Sequence, residues 1–377
     1  MAESDRPEWE IPDESDCHGF QRVITVRAEL SNNIQRFRFL AAMVMTSAVA
    51  CLGAAAQSGS KPKVVAGWEV ARIGSHDYVA VDSIRRFYQF TGMKQTGGAI
   101  TLDKPKVAMK LAMGSPECLM NGMKFIFSHP VAEDGGKAYV SRVDLEKLID
   151  PVLRPNFIKN AGSFDTVILD AGHGGKDPGA TNSLGTEAGY NLIIADKVRM
   201  LLARKGFKVV MTRETDRYLT LQERVNMANS VTTNAIFISI HFNAGGRHAR
   251  GIETFTLSPP GVSHYGRGLI ASDMGVRTGN QQDSANIALA TAVHGCLLKK
   301  LGNATFDRGV KRARFTVLSG VRHPAILMEG GFMSHPVEAR LIHDEKYQNA
   351  LAIGVVEAII KCRRVLGSQA ATTTVRP

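Results

Sequence analysis

VILDAGHGGKDPGA, residues 167–180, runs a strand-forming apolar segment straight into a glycine-rich turn that holds one histidine between two glycines. A short continuous apolar run bounded by glycine and proline reads as a strand buried on both faces, as in a parallel sheet covered by helices. Sites in such sheets gather outside the carboxyl ends of the strands, where this turn lies. His173 is therefore aimed at something only if partners arrive from elsewhere in the chain, because a lone histidine beside glycines is an ordinary packing or surface residue.

Downstream of this stretch the pattern repeats. After DTVILD come a helix across 187–204, the strand FKVVM, a helix from about 220, then AIFISI and GIETFTL, a long helix near 285–301, PAILME and a final helix near 345–363. Apolar strands alternating with amphipathic helices predict an α/β fold of three layers, with a largely parallel central sheet and helices on both faces, over residues 165–363. Residues 364–377 read as a flexible C-terminal tail.

Upstream, PVLRPNFIKNAGSF (151–164) carries two prolines and a glycine and reads as a linker. Residues 64–155 form a small α+β region with a weak internal repeat: HDYVAVDSIRRFY (77–89) aligns with KAYVSRVDLEKLI (137–149), each a Tyr-Val step leading into a short helix. Between the two units, AITLD, KVAMKLAM and KFIFSH have strand character. In pattern this region resembles the copper amine oxidase N-terminal-like domain. It holds no cluster of His or Cys to bind metal, so a spacer or wall-binding role is expected.

Residues 1–57 divide into a polar lead and a segment, RFRFLAAMVMTSAVACLGAAAQ (36–57), in which two arginines precede an apolar run ending in small residues. Basic flank, short apolar core and small-residue end are the parts of a secretory signal, so export to the periplasm or cell envelope is expected, with no stable membrane span after processing. The formal charge of +11 points to an acidic partner. Nucleic acid is excluded as the expected partner, because the Lys and Arg are scattered and aromatics make up only 7% of the chain. The five cysteines, Cys17, Cys51, Cys118, Cys296 and Cys362, show no CxxC or other regular spacing, and buried apolar thiols are expected for the last three.

Partners for His173 come from two more strand ends. AIFISIHFNA puts His241 after Ile240, PAILMEGGF puts Glu329 after Met328, and Glu187 in SLGTEAGYNL stands at the start of the first helix. If the strands are neighbours, the four converge on one rim. Two histidines and one carboxylate suit zinc with a position left for water, and a second carboxylate can take that water's proton. Gly172, Gly174 and Gly175 would clear room around the imidazole. A phosphate-binding loop in GHGGKDPGA is the weakest reading, since GxxxxGK[ST] is not satisfied.

The set VILDAGHGGKDPGA, GTEAGYNL, VVMTRETDRYLTLQERVNMAN, AIFISIHFNA, RGVKRARFTVL and PAILMEGGFMSHPVEARLI, in this order, resembles the zinc-dependent N-acetylmuramoyl-L-alanine amidases of the Amidase_3 family. The resemblance implies zinc ligands at His173, Glu187 and His241, one zinc ion as cofactor, Glu329 as the catalytic carboxylate, and peptidoglycan as substrate. The bond cut would be the amide between N-acetylmuramic acid and L-alanine of the stem peptide. The alternatives are a zinc carboxypeptidase acting on other peptides and a non-catalytic wall-binding module. Three positions depart from the family pattern: Ala188 and Gly189 stand where Lys and Asp are usual, and His335 where Asn is usual. Thr212, Arg213, Asp216, Arg224 and Asn229 match the family and are expected to support the fold. Residues 258–285 are too short for the long helix that plugs some amidases of this kind, so such autoinhibition is not expected. No motif names an activating protein partner.

Overall fold

The computed structural model describes residues 60–158 and 162–367; the signal-like segment, the C-terminal residues beyond 367, Cys17 and Cys51 lie outside them. The chain divides into two units, Met1–Ala56 and Gln57–Pro377, and the described residues belong to the second. Among them, no helix is long and apolar enough to cross a membrane.

The first region opens with β1 (Ser60–Val65), β2 (Trp68–Ile73) and β3 (His76–Ala80), followed by α1 (Val81–Phe87). A meander follows: β4 (Gly92–Thr96), β5 (Ala99–Lys104), β6 (Val107–Ala112), β7 (Glu117–Met120) and β8 (Met123–Ile126). Then come β9 (Ala132–Asp134), β10 (Lys137–Ser141), α2 (Arg142–Asp144), a π-helical turn Leu145–Ile149 and α3 (Asp150–Leu153). The two repeat units meet as β3 and β10, which pair antiparallel with Val140 opposite Val79. Ile84, Leu145 and Leu148, the apolar positions that follow each strand, are fully buried.

The second region alternates as its sequence predicts. It runs β11 (Thr166–Ala171), the small hairpin β12 (Thr181–Asn182) and β13 (Gly185–Thr186), α4 (Glu187–Arg204), β14 (Lys208–Met211), α5 (Leu221–Ser230), β15 (Ala235–Asn243) and β16 (Ile252–Leu257). It finishes with α6 (Asp283–Leu301), β17 (Asp307–Ala313), α7 (Thr316–Gly320), β18 (Ala325–Phe332), α8 (Pro336–His343) and α9 (Glu345–Gly367). Four strands in the order β14-β11-β15-β18 are parallel. β16 then reverses against β18 and pairs parallel with β17.

Period-two patterning divides the core. Val167 and Leu169 face the helices that supply Ile194, Val198, Leu351 and Val355, whereas Ile168 packs with Val225, Val317 and Leu318 on the opposite side. Helices thus cover both faces, as expected, and the continuous apolar run of β11 is explained by burial of every residue in it.

The first region joins the same sheet. β8 pairs parallel with β17 at Val310 and Phe125, so the antiparallel meander β8-β7-β6-β5-β4 extends the sheet to eleven strands, and with the reversal at β16 the sheet is mixed. Side chains reinforce the seam. Buried Arg312 bridges Asp144 at 2.8 Å, and Asp307 accepts from the Lys124 backbone N–H at 2.8 Å and pairs with buried His294 at 2.9 Å. The stretch read as a linker is folded over 150–157, with Pro151 buried, and Ile158 and Phe164 pack into the main core. Cys118, Cys296 and Cys362 are free and buried, as expected.

Candidate active site

The parallel order brings β11, β15 and β18 side by side, so their carboxyl ends share one rim. His173 follows β11, His241 lies near the end of β15, and Glu329 is its register partner on β18. Glu187 opens α4, whose N-terminus is capped by the Thr186 side chain accepting from Gly189 N–H at 3.2 Å. The hairpin β12–β13 turns that helix start inward, and Glu187 is buried.

The four predicted positions divide into a cluster and a neighbour. His173 Nε2 is 3.2 Å and His241 Nδ1 2.9 Å from Glu187 Oε1. One ligand atom from each of these three residues lies within 4.8 Å of the others. Glu329 lines the same groove as His173 and His241, a cavity of about 440 Å³. Its Oε2 is sealed from solvent and has no hydrogen-bond partner among the described residues.

Electrostatics separate the two carboxylates. Burial pushes Glu187 up, but hydrogen bonds from His173 and His241 and the Ala180 N–H hold it far below the ordinary carboxylate range. Glu329 is raised well above that range by burial first, then by the negative charges of Glu187 and Glu253, with Lys311 pulling the other way. His173 is raised by its hydrogen bond to Glu187, opposed by burial and reinforced by Asp177. Asp177 is the residue that sequence reasoning passed over: its Oδ2 is 2.8 Å from His173 Nδ1, which fixes the ring and leaves Nε2 facing Glu187.

The turn is clamped from below. His173 itself has φ of 60°, a left-handed conformation costly for a residue with a Cβ. Buried Arg224 donates to the Ala171 and His173 carbonyls at 2.7 Å each and pairs with Asp170. Arg213 donates to the carbonyls of Ala171, Gly172 and Ala188. Thr212 and Ser239 donate to Asp170, Asp216 accepts from Gly175 N–H, and Asn229 ties Gly320 to Arg322. These are supporting roles, as the sequence reading assigned them.

The glycines divide differently from expectation. A Cβ on Gly172 would fall 2.1 Å from His241 Cε1, so this glycine does make room for the cluster. Gly174 and Gly175 instead face the backbone of Arg217 and Tyr218. The second glycine of the cradle is Gly179, whose Cβ would meet Glu187 Oε2 at 2.6 Å and His173 Cδ2 at 2.7 Å. His335 caps α8, its Nδ1 accepting from Glu338 N–H at 3.3 Å, so the departure from Asn preserves the turn's acceptor.

Residues 167–361 match the family model Amidase_3, N-acetylmuramoyl-L-alanine amidase. The chain is 32% identical over 194 residues to the Bacillus subtilis protein YqiI, covering 52% of this chain and 82% of that one. It is 31% identical over 209 residues to the B. subtilis N-acetylmuramoyl-L-alanine amidase LytC, spanning 38% of its length. Against AmiC of Escherichia coli O6:H1, an amidase of the same name, identity is 32% over 240 residues, or 57% of that protein. A solved N-acetylmuramoyl-L-alanine amidase from Clostridium difficile 630 is 32% identical and covers 53% of this chain and 97% of its own, with a TM-score of 0.44. With more than half of its length matched by the family model, the chain belongs to the Amidase_3 family of N-acetylmuramoyl-L-alanine amidases.

Proposed function

We propose that this protein hydrolyses the amide between N-acetylmuramic acid and the L-alanine of peptidoglycan stem peptides, with His173, Glu187 and His241 as ligands of one zinc ion and Glu329 as the catalytic carboxylate. The observation that carries the reading is the His173–Glu187–His241 cluster beside an unpartnered carboxylate oxygen in one groove. Two imidazole nitrogens and one carboxylate oxygen are a donor set that suits zinc with an open position. Zinc held there would polarise the amide carbonyl and lower the pKa of water to about 7.

The remaining work falls to the chain's own groups. Asp177 holds the His173 ring, and Arg213 and Arg224 hold the turn beneath it. Glu329, whose side chain lines the groove, accepts the proton of the attacking water. Its raised proton affinity suits a carboxyl that must keep that proton until it is passed to the departing alanine nitrogen. An exported location agrees with a wall substrate and with the signal-like character of residues 36–57.

The test is product analysis. The purified chain incubated with peptidoglycan should create new N-terminal alanine while the glycan strands stay intact; chelator should stop the reaction and zinc restore it. Release of C-terminal amino acids without new N-terminal alanine would replace this reading with a carboxypeptidase, and binding to the wall without either product would leave a wall-binding module.

A further inference from the structure

Beside the catalytic groove lies a second cavity of about 360 Å³, and Arg314 and Thr316 line both. Its other walls include Arg267, Arg277, Ser272 and Asp273. Three guanidinium groups therefore line a cavity that holds one carboxylate. Asp273 is taken up by Arg267 at 2.7 and 2.8 Å and by Arg314 Nε at 3.0 Å. Among the described residues the Arg277 guanidinium donates to the Ser272 carbonyl alone, at 3.5 Å, and the residue is exposed.

Arg314 is the unusual member. Its side chain is 9% exposed, and Nη2 is used up on the carbonyls of Pro259, Val262 and Asp273. Those bonds lock the guanidinium plane against the loop of residues 259–273. Nη1 has no partner among the described residues. A buried cationic N–H without an acceptor is costly, and in a cavity with excess positive charge the group that satisfies it is an oxyanion.

We propose that this cavity is an oxyanion subsite, formed by Arg314, Arg277 and Arg267, that binds a free carboxylate of the stem peptide whose amide lies in the groove. The inference rests on the amidase reading for its choice of ligand, because the cavity opens beside the scissile position on the wall that Arg314 and Thr316 share. Phosphate of a wall polymer offers the same chemistry from a different molecule. The stem peptide is preferred since it is already tethered at the groove, and tethering makes the second contact intramolecular.

Two measurements test it. N-acetylmuramoyl peptides with free or amidated side carboxylates are assayed with wild type, Arg277→Gln and Arg277→Lys; Arg277 touches none of the His–Glu–His cluster. Wild type should prefer the free carboxylate. Arg277→Gln should raise KM for it about tenfold with kcat little changed, Arg277→Lys should recover part of the loss, and the amidated peptide should be indifferent to both. Equal effects on the two peptides, or none, overturn the proposal. Calorimetry with glutarate and with inorganic phosphate supplies the activity-independent arm. Glutarate binding weakened by Arg277→Gln supports the subsite, and phosphate binding alone overturns the stem-peptide source. If no lactyl-amide cleavage is seen, the amidase reading fails by itself, and glutarate binding still decides whether the subsite exists.

Discussion

Gly172→Ala isolates the spatial demand of the cluster. Gly172 does not occupy the left-handed region, so alanine is compatible with its backbone and the perturbation is one methyl group. That carbon would sit 2.1 Å from His241 Cε1 and 2.2 Å from His241 Nε2, more than an ångström inside ordinary contact distance. Gly172 N–H is bonded to the Ile240 carbonyl at 3.1 Å and its own carbonyl is held by Arg213 and Asn191, so the imidazole is what must yield. Displacing the ring breaks its 2.9 Å contact with Glu187. A misplacement of about 1 Å costs roughly 100-fold in rate, and disturbed ligand orientation costs about 10–100-fold in metal affinity. Folding should change little: the smaller unfolded-state entropy of alanine gains about 0.4–1 kcal/mol, against about 1 kcal/mol for the lost hydrogen bond. The assay pairs a competitive zinc titration and amidase turnover with urea unfolding of the metal-free protein. Gly246→Ala, with open space around its Cβ, is the control on the same rim. A Gly172→Ala protein with wild-type zinc affinity and turnover would refute His241 as a ligand fixed by that contact.

Three further outcomes are expected. Glu329→Gln should keep zinc content unchanged and lower kcat by about 100-fold or more, read by metal analysis and single-turnover assay; unaltered turnover would remove Glu329 from proton transfer. Asp307 should carry part of the acid stability. Burial opposes its ionisation, but the hydrogen bond with His294 and the backbone donors hold its carboxyl below the ordinary value. A depressed acid contributes its stability in full above the unfolded pKa of about 3.9 and loses it as pH falls through the folded value. Asp307→Asn should therefore cost about 1–3 kcal/mol at pH 7 in thermal unfolding, with the gap to wild type closing in strong acid; parallel curves down to pH 2 would contradict this. Finally, His335→Ala should cost about 1 kcal/mol through loss of the α8 cap while His335→Asn stays near neutral, by urea titration.

The catalytic sheet was legible because its signals are local. The stretches Val167–Leu169, Ala235–Ile238 and Ala325–Met328 are apolar since both faces of their strands are covered, and His173, His241 and Glu329 follow them at the rim. Glu187 could be placed because a helix start folds back across one short hairpin. The extension of the sheet could not be read. The pairing of Phe125 with Val310, and the bridge from Asp144 to Arg312, join residues far apart in sequence, and each has an innocent local explanation as strand or surface charge. Gly179 and Asp177 were hidden for a related reason: within one glycine-rich turn, only the folded path decides which residues face the cluster and which face loop 213–218.

The reversal at β16 has a chemical consequence that strand periodicity does not announce. Running antiparallel to β18, it sets Glu253 directly opposite Glu329, placing two carboxylates on one cross-strand pair. Like charges so placed repel, and the sheet answers with cations from β17: Lys311 Nζ lies 3.0 Å from Glu253 Oε1, both side chains buried, and Arg308 pairs with the same oxygen. Glu253 is thereby neutralised by dedicated partners, while Glu329 keeps an oxygen with none. The proton affinity of the groove carboxylate is therefore set by a neighbouring strand as well as by Glu187 of the His–Glu–His cluster, and a chain that kept all four predicted residues but lost the Glu253–Lys311 pairing would hold Glu329 in a different charge environment.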